Sequence, residues 1–205
     1  MLVIFDMDGT LVDSSKTLAN AINYVREKLN LKPLEESVIL EQINNPNCNL
    51  PKFFYEVDKL EDFHEQYFSE YYSKNHDKEL MLFDGAKEML EELKSKGVKL
   101  AIATNAYRKS TLEALKHLKI DKYFDDIVCF DDVQKGKPHP DMLLYLLNKN
   151  KINPKKAIFI GDSDRDKLAA KAANIKYLSV IDNKSRVDFR KLTKKIEEFL
   201  YNNDN

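Results

Sequence analysis

A chain of 205 residues with 43% apolar and 33% charged side chains is built to fold as a globular body, long enough for one good core with a smaller insert. Its 33 basic and 34 acidic side chains leave a formal charge of −1, which gives no general attraction to nucleic acid or to an anionic membrane. No apolar run approaches the roughly 18 residues of a bilayer span, the N-terminus shows no secretory leader pattern, and the widely separated Cys48 and Cys129 read as free thiols of a cytoplasmic protein.

The chain opens on the apolar run Leu2-Val3-Ile4-Phe5, which stops at Asp6-Met7-Asp8-Gly9-Thr10. This reads as a buried strand that ends in an acidic loop, with Gly9 free to turn where a Cβ would clash. After Ser14 the spacing becomes helical: Leu18, Ile22, Val25 and Leu29 form one apolar stripe, and Pro33 lies at its end. A second short helix is predicted over 35–44, and the run 44–51 (NNPNCNLP) is the densest loop signal in the chain. An aromatic helical pattern (Phe53, Phe54, Phe63, Tyr67, Tyr71 and Tyr72 among its members) continues to about His76, with no convincing strand. Residues 14–83 therefore read as an all-helical module of about 70 residues. It holds 8 basic against 12 acidic side chains, whereas the remainder holds 25 against 22. An acidic module on a slightly basic body argues against a polyanion gripped by the module.

From Asp84 the rhythm changes. A helix over 85–96 stops at Gly97, a good position for a left-handed cap. Then follow an apolar strand over 98–104, a helix at 108–118, a strand at 127–130, a helix at 141–149, a strand at 157–160, a helix at 165–173, a strand at 177–181 and a helix at 186–200. Strands alternating with helices of this length indicate an α/β fold with a parallel sheet made of βαβ crossovers. The first strand belongs to that sheet, so the core is expected to comprise 1–13 and 84–205, with 14–83 inserted.

Four polar signals sit at or just after the carboxyl ends of predicted strands, three of them closing strands that parallel topology would align: Asp6/Asp8, Thr104-Asn105, Lys137 in Gly136-Lys137-Pro138, and Asp162 with Asp164 and Asp166. Parallel topology turns such ends toward one crevice. Carboxylates gathered there need a cation, and an all-oxygen donor set with few protein ligands suits Mg²⁺. A lysine and hydroxyl-plus-amide donors beside it make a receptor for a phosphoryl group. The spacing Asp162-x-Asp164-x-Asp166 is not an EF-hand, because Lys167 and Ala173 stand where Gly and Glu are required. Gly136-Lys137 is no P-loop, lacking the leading glycine and the following Ser or Thr.

These residues, in this order, resemble the haloacid dehalogenase superfamily of hydrolases, and the resemblance covers the whole chain. It implies a Rossmann-like core with the helical module as a cap. It further implies that Asp6 is the nucleophile and forms an aspartyl-phosphate, and that Asp8 acts as general acid and then general base. Thr104 and the backbone at Asn105 would hold phosphoryl oxygens, and Lys137 would neutralise them. Mg²⁺ would bind the Asp6 and Asp162 carboxylates and the Asp8 main-chain carbonyl, with Asp166 and Ser163 supporting this set. The acid at Asp8 favours phosphoryl transfer, since dehalogenase members lack it and a departing halide needs no proton. The expected enzyme is a phosphatase acting on a small phosphorylated metabolite, most like the phosphoglycolate phosphatase branch, as a monomer or homodimer. A phosphomutase of the β-phosphoglucomutase type is the alternative, and a regulatory phosphoacceptor domain the alternative from another class.

Two departures concern the substrate. Ala106 stands where close relatives acting on phosphoglycolate carry a lysine, and the Asn-rich run around Cys48 replaces a glycine-bearing loop. Caps of this family use such a segment to contact the leaving group, which makes 44–51 the candidate for substrate choice. His139, between two prolines, is expected to pack its loop, and His64, His76 and His117 to lie on the surface. The cap aromatics are expected to form its core.

Overall fold

The computed structural model describes residues 1–182 and 185–204. In chain order the elements are β1 (Leu2–Phe5), β2 (Val12–Asp13), α1 (Ser15–Lys28), α2 (Glu36–Asn44), α3 (Leu50–Tyr55), α4 (Asp62–Glu79), β3 (Met81–Leu82), α5 (Ala86–Ser95), β4 (Lys99–Ala103) and α6 (Arg108–His117). They continue with β5 (Asp126–Val128), α7 (Asp141–Asn150), β6 (Ala157–Gly161), α8 (Asp164–Ala172), β7 (Lys176–Ser179), β8 (Ile181–Asp182), β9 (Ser185–Arg186) and α9 (Phe189–Asp204).

Five strands form one parallel sheet in the order β5-β4-β1-β6-β7, with β1 in the middle. Strand alternation splits the apolar runs between two cores. Val3, Phe5, Leu100, Ile102, Ile158 and Ile160 point to one face, where α5, α6 and α9 cover them. Leu2, Ile4, Ala101, Ala103, Ala157 and Phe159 point to the other, under α7 and α8. Both faces are therefore dry, as the unbroken hydrophobicity of β1 and β6 requires. Truncating a side chain such as the fully buried Phe159 to Ala at such a position costs about 3–5 kcal/mol.

The helices α1 to α4 enter after β2 and leave through β3, and these two strands pair antiparallel, Val12 with Leu82 and Asp13 with Met81. The insert has a small core of its own in Ala19, Ile22, Ile39 and Phe54. Buried Arg26 ties the insert's loops together by donating to the carbonyls of Lys32 and Phe54.

Several sequence expectations need adjustment. The insert does hold strand residues, Met81–Leu82, too short to show an alternating pattern. The 44–51 loop is shorter than expected because Asn49 caps α3 through its side chain and Pro51 fits the first helical turn. The aromatic pattern is broken between α3 and α4, where Glu56 takes a left-handed conformation at φ 61°. The strand predicted at 127–130 lies at 126–128, since Phe130 opens a short 3₁₀ turn. The last helix starts at Phe189 and not at 186, because Ser185–Arg186 pairs with Ile181–Asp182. Gly97 takes the left-handed conformation its position suggested, at φ 72°, and Asn174 takes one after α8, at φ 56°.

Candidate active site

The sheet ladder extends one residue past each functional strand. Asp6 N donates to Ile160 O at 2.9 Å and Thr104 N to Val128 O at 3.0 Å, so the backbones that carry the reactive side chains are pinned. Beyond Asp6 the chain folds back at once. The carbonyl of Met7 accepts from the amides of Thr10, Leu11 and Val12, and Gly9 N donates to Val12 O at 2.8 Å. Gly9 sits at φ 76°, and a Cβ there would lie 2.5 Å from Asp162 Oδ2. Glycine is needed at this position on both counts: left-handed backbone and a carboxylate pressed against it.

Asp162 follows β6 and accepts from Thr10 Oγ1 at 2.9 Å. Asp166 occupies the first turn of α8, and its Oδ2 accepts from Ser163 Oγ at 2.7 Å and from the amides of Ser163 and Asp162 at 3.1 and 3.3 Å. Its other oxygen is thereby aimed at Lys137. Gly161 allows that carboxylate to lie against the strand, for a Cβ there would fall 2.6 Å from it.

Lys137 Nζ donates to Asp6 Oδ1 at 2.6 Å and to Asp166 Oδ1 at 2.7 Å, with all three side chains buried. Asn105 holds this lysine by its main chain: Nδ2 donates to Lys137 O at 2.9 Å, and Lys137 N donates to Oδ1 at 2.8 Å. Thr104 is buried beside it, and its hydroxyl accepts from Ala106 N at 3.1 Å.

One carboxylate oxygen each from Asp6, Asp162 and Asp166 lies within 4.8 Å of the others. Three acids this close, with one ammonium among them, carry an excess of negative charge. Burial pushes the Asp6 carboxyl well up; Lys137 offsets part of that, and Asp166 and Asp162 add to it. Burial, then Asp166, lifts Asp162 to about 6. Burial alone would lower Lys137, but Asp166 and Asp6 outweigh it and hold the ammonium charged. All-oxygen donors with surplus charge fit a hard divalent cation such as Mg²⁺. Asp8 is half-buried, its Oδ1 has no protein partner, and burial raises its pKa. A carboxyl whose pKa burial raises and whose oxygen is left free is suited to donate a proton.

Asp6, Asp8, Thr104, Asn105, Lys137, Ser163 and Asp166 border one cavity of about 370 Å³ that runs from the strand ends under the insert. His139 is exposed and its amide closes the loop on Gly136 O at 3.0 Å. Cys48 is not among the lining residues, while Asn44, Leu50 and Pro51 of the same loop are. Of the insert's aromatics, Phe54 and Tyr72 are buried and wall the cavity, whereas Phe53 is 39% exposed. His64, expected on the surface, is only 2% exposed and also lines the cavity. His76 is half-buried against Tyr72, and His117 is exposed.

Two arginines escaped the sequence reading. Arg165 donates from Nε to Ile43 O at 3.0 Å and from a terminal nitrogen to Asn45 O at 2.6 Å, joining α8 to the insert's loop. Arg186 lies over the Phe83 ring and donates to Gly9 O at 2.7 Å and Thr10 O at 3.3 Å, holding the first acidic loop from behind. Nothing in their sequence spacing marks them, since each acts on backbone carbonyls.

Comparison with known proteins identifies the family of the chain. The family of haloacid dehalogenase-like hydrolases matches residues 3–180. A protein of Caldanaerobacter subterraneus, named provisionally as a pyrophosphatase, is 34% identical over 87% of this chain and 80% of its own. A phosphoglycolate phosphatase of Pseudomonas fluorescens is 32% identical over 87% of this chain and 68% of its own. The solved structure of a haloacid dehalogenase-like family hydrolase from Streptococcus pneumoniae superposes with a TM-score of 0.72 at 30% identity, covering 87% of this chain and 83% of that one.

Proposed function

The chain belongs to the family of haloacid dehalogenase-like hydrolases, and from that premise we propose that it is a Mg²⁺-dependent phosphatase that hydrolyses a small phosphomonoester through a phosphorylated Asp6. The observation that carries the proposal is the position of Lys137. Its Nζ lies within 2.7 Å of both Asp6 and Asp166, on a cavity that also receives the unpartnered Asp8 Oδ1.

Asp6 is held from two sides, by the ladder at its amide and by Lys137 at Oδ1, which leaves Oδ2 as the atom to attack phosphorus. The bond from phosphorus to the ester oxygen breaks as the new bond forms, and Asp8 delivers its proton to the departing alkoxide. Asp8, now a carboxylate, takes a proton from water, and that water attacks the phosphorus of the aspartyl-phosphate and frees Asp6. Thr104 and the backbone at Asn105 hold phosphoryl oxygens, and Lys137 balances their charge. Asn105 acts by positioning Lys137, and Ser163 by orienting Asp166. Asp6, Asp162 and the Asp8 carbonyl would hold Mg²⁺, which supplies further charge neutralisation at the phosphoryl group. Positioning and charge balance of this kind make up most of phosphoryl-transfer catalysis. Residues 14–83 serve as a cap that excludes water once substrate is bound, and the two unbridged thiols, Cys48 and Cys129, favour a reducing cytoplasm.

The test is a phosphate-release screen over small phosphorylated metabolites with Mg²⁺ present. Release of one phosphate per substrate consumed supports the reading. Isomerisation of a sugar phosphate without net phosphate would replace it with a phosphomutase, and a long-lived phospho-aspartate with negligible turnover would replace it with a phosphoacceptor module.

A further inference from the structure

Three buried polar atoms on the cavity have no partner in the protein: Asp8 Oδ1, His64 Nε2 and Glu113 Oε2. The first belongs to the chemistry above. The other two belong to residues that line the part of the cavity beyond it, toward the insert.

That space is apolar. Leu18, Ile22, Leu50, Phe54, Phe68 and Tyr72 are among its walls. The whole cavity, phosphoryl end included, measures about 370 Å³, within the roughly 300–1,000 Å³ range of sites that enclose whole organic ligands. A two-carbon leaving group would leave most of it empty. Charge argues the same way. Among the described residues, none that the insert contributes to this wall is Lys or Arg. The cations that the core contributes are engaged or peripheral: Lys137 with Asp6 and Asp166, Arg165 with backbone carbonyls, and Lys109 exposed on α6. A carboxylate on the leaving group would meet no free buried cation and would face Glu113. Leaving such a charge unpaired away from water is unfavourable by several kcal/mol.

Of the three partnerless atoms, His64 Nε2 is the nitrogen, able to donate where the two carboxyl oxygens accept. His64 Nδ1 lies 3.1 Å from Glu61 N and 3.3 Å from Glu61 O; because that carbonyl already accepts from His64 N, we assign Nδ1 as the acceptor of the Glu61 amide, which leaves the ring hydrogen on Nε2. The ring is stacked on Phe63 and lies 5.3 Å from Tyr55, which fixes its plane. An N–H buried without a partner in an apolar wall is costly unless a ligand accepts from it.

We infer that the chamber under the insert takes the leaving group of an uncharged, ring-bearing alcohol phosphate, and that His64 donates from Nε2 to an acceptor on that ring. This rests on the phosphatase reading and names its substrate class. The size and apolarity of the walls select the ring, the missing cation rejects a carboxylate, and His64 selects a ring that carries a nitrogen or oxygen acceptor.

The full chain with Mg²⁺ is assayed for phosphate release from phosphoglycolate, benzyl phosphate and the three pyridylmethyl phosphates, all esters of primary alcohols. Benzyl phosphate is expected to exceed phosphoglycolate by about tenfold or more in kcat/KM, and at least one pyridylmethyl isomer to exceed benzyl phosphate by a further roughly tenfold. His64→Leu should erase the pyridyl advantage through KM, bringing the pyridyl-to-benzyl ratio to about one whatever its effect on benzyl phosphate itself, and His64→Gln, which keeps an N–H near Nε2, should retain part of that ratio. Phosphoglycolate turned over as well as benzyl phosphate overturns the inference while the phosphatase reading stands. A pyridyl-to-benzyl ratio unmoved by His64→Leu removes His64 from it. Release of phosphate from none of these esters and from none of the metabolite screen overturns both readings together.

Discussion

The ammonium of Lys137 donates to the Asp6 carboxylate across 2.6 Å, and neither side chain is more than 9% exposed. The same nitrogen reaches Asp166, so one buried cation serves two buried anions, with Asp162 close by. Removing that cation leaves like charges facing each other out of water. Lys137→Met is therefore expected to lower unfolding stability by about 3–5 kcal/mol in metal-free buffer and to abolish phosphate release. Urea unfolding with a chelator present measures the first effect. Wild-type stability in that buffer would mean that the pair does not hold the site together.

Asp6→Asn keeps the shape of the side chain and an acceptor for Lys137 while removing one of the crowded charges. Turnover of any phosphomonoester, generic aryl phosphates included, should fall roughly 10⁴-fold or more, because an amide cannot carry the phosphoryl group. The metal-free melting temperature should hold or rise, since the lost charge was one that burial and its acidic neighbours opposed. Undiminished hydrolysis of an aryl phosphate would move the nucleophile elsewhere.

Asp8→Asn tests a different property of the same loop. A carboxyl that protonates an alkoxide matters most when the alkoxide is strongly basic. The variant should lose about 10²–10⁴-fold on alkyl phosphates and much less on nitrophenyl phosphate. Plotting log kcat/KM against leaving-group pKa should give a steeper slope than for the wild type. Parallel lines for the two proteins would show that Asp8 donates no proton.

The sequence made the strand ends legible and left the insert's wall largely illegible, for a physical reason. Asp6, Thr104 and Asp162 each follow an apolar run, and a parallel sheet brings the ends of such runs together whatever their separation in sequence, whereas Lys137 arrives from the polar loop after β5. His64 stands among charged residues in a helix of weak amphipathicity, so nothing in its local pattern distinguished a buried ring from a surface one. Its burial depends on Tyr55 of α3 packing against it, a contact between separate elements. Arg165 and Arg186 bind carbonyls, which every residue has, so their partners carry no signature. The two-residue strands β2 and β3 are stable only as a pair and could not be read from either alone.

Gly161 is expected to tolerate no side chain even though its backbone is ordinary. A methyl group there would lie 2.6 Å from the Asp166 carboxylate, which must then withdraw from Lys137 or from the Ser163 amide. Gly161→Ala should cost about 10²-fold in kcat/KM, the scale on which a displacement of about 1 Å acts. Ala is not otherwise foreign to a buried strand, so the far-ultraviolet spectrum should be unchanged. Full activity would mean that Asp166 need not touch Lys137.

Arg165 stands next to Asp166 in α8, yet its guanidinium leaves the acidic cluster and holds the carbonyls of Ile43 and Asn45. It is thus a positioning residue that joins the core to the loop walling the cavity. Charge-assisted bonds of this kind contribute about 1.5–3 kcal/mol, enough to shift a cap equilibrium about tenfold to a hundredfold. Arg165→Ala should lower the fraction of cap in the competent arrangement and so raise KM by a similar factor, with amide exchange accelerating across residues 43–51. Arg165→Lys keeps the charge but cannot span two carbonyls, and should recover only part of the loss. A KM that does not move while exchange accelerates would show that the loop's order is not linked to substrate capture.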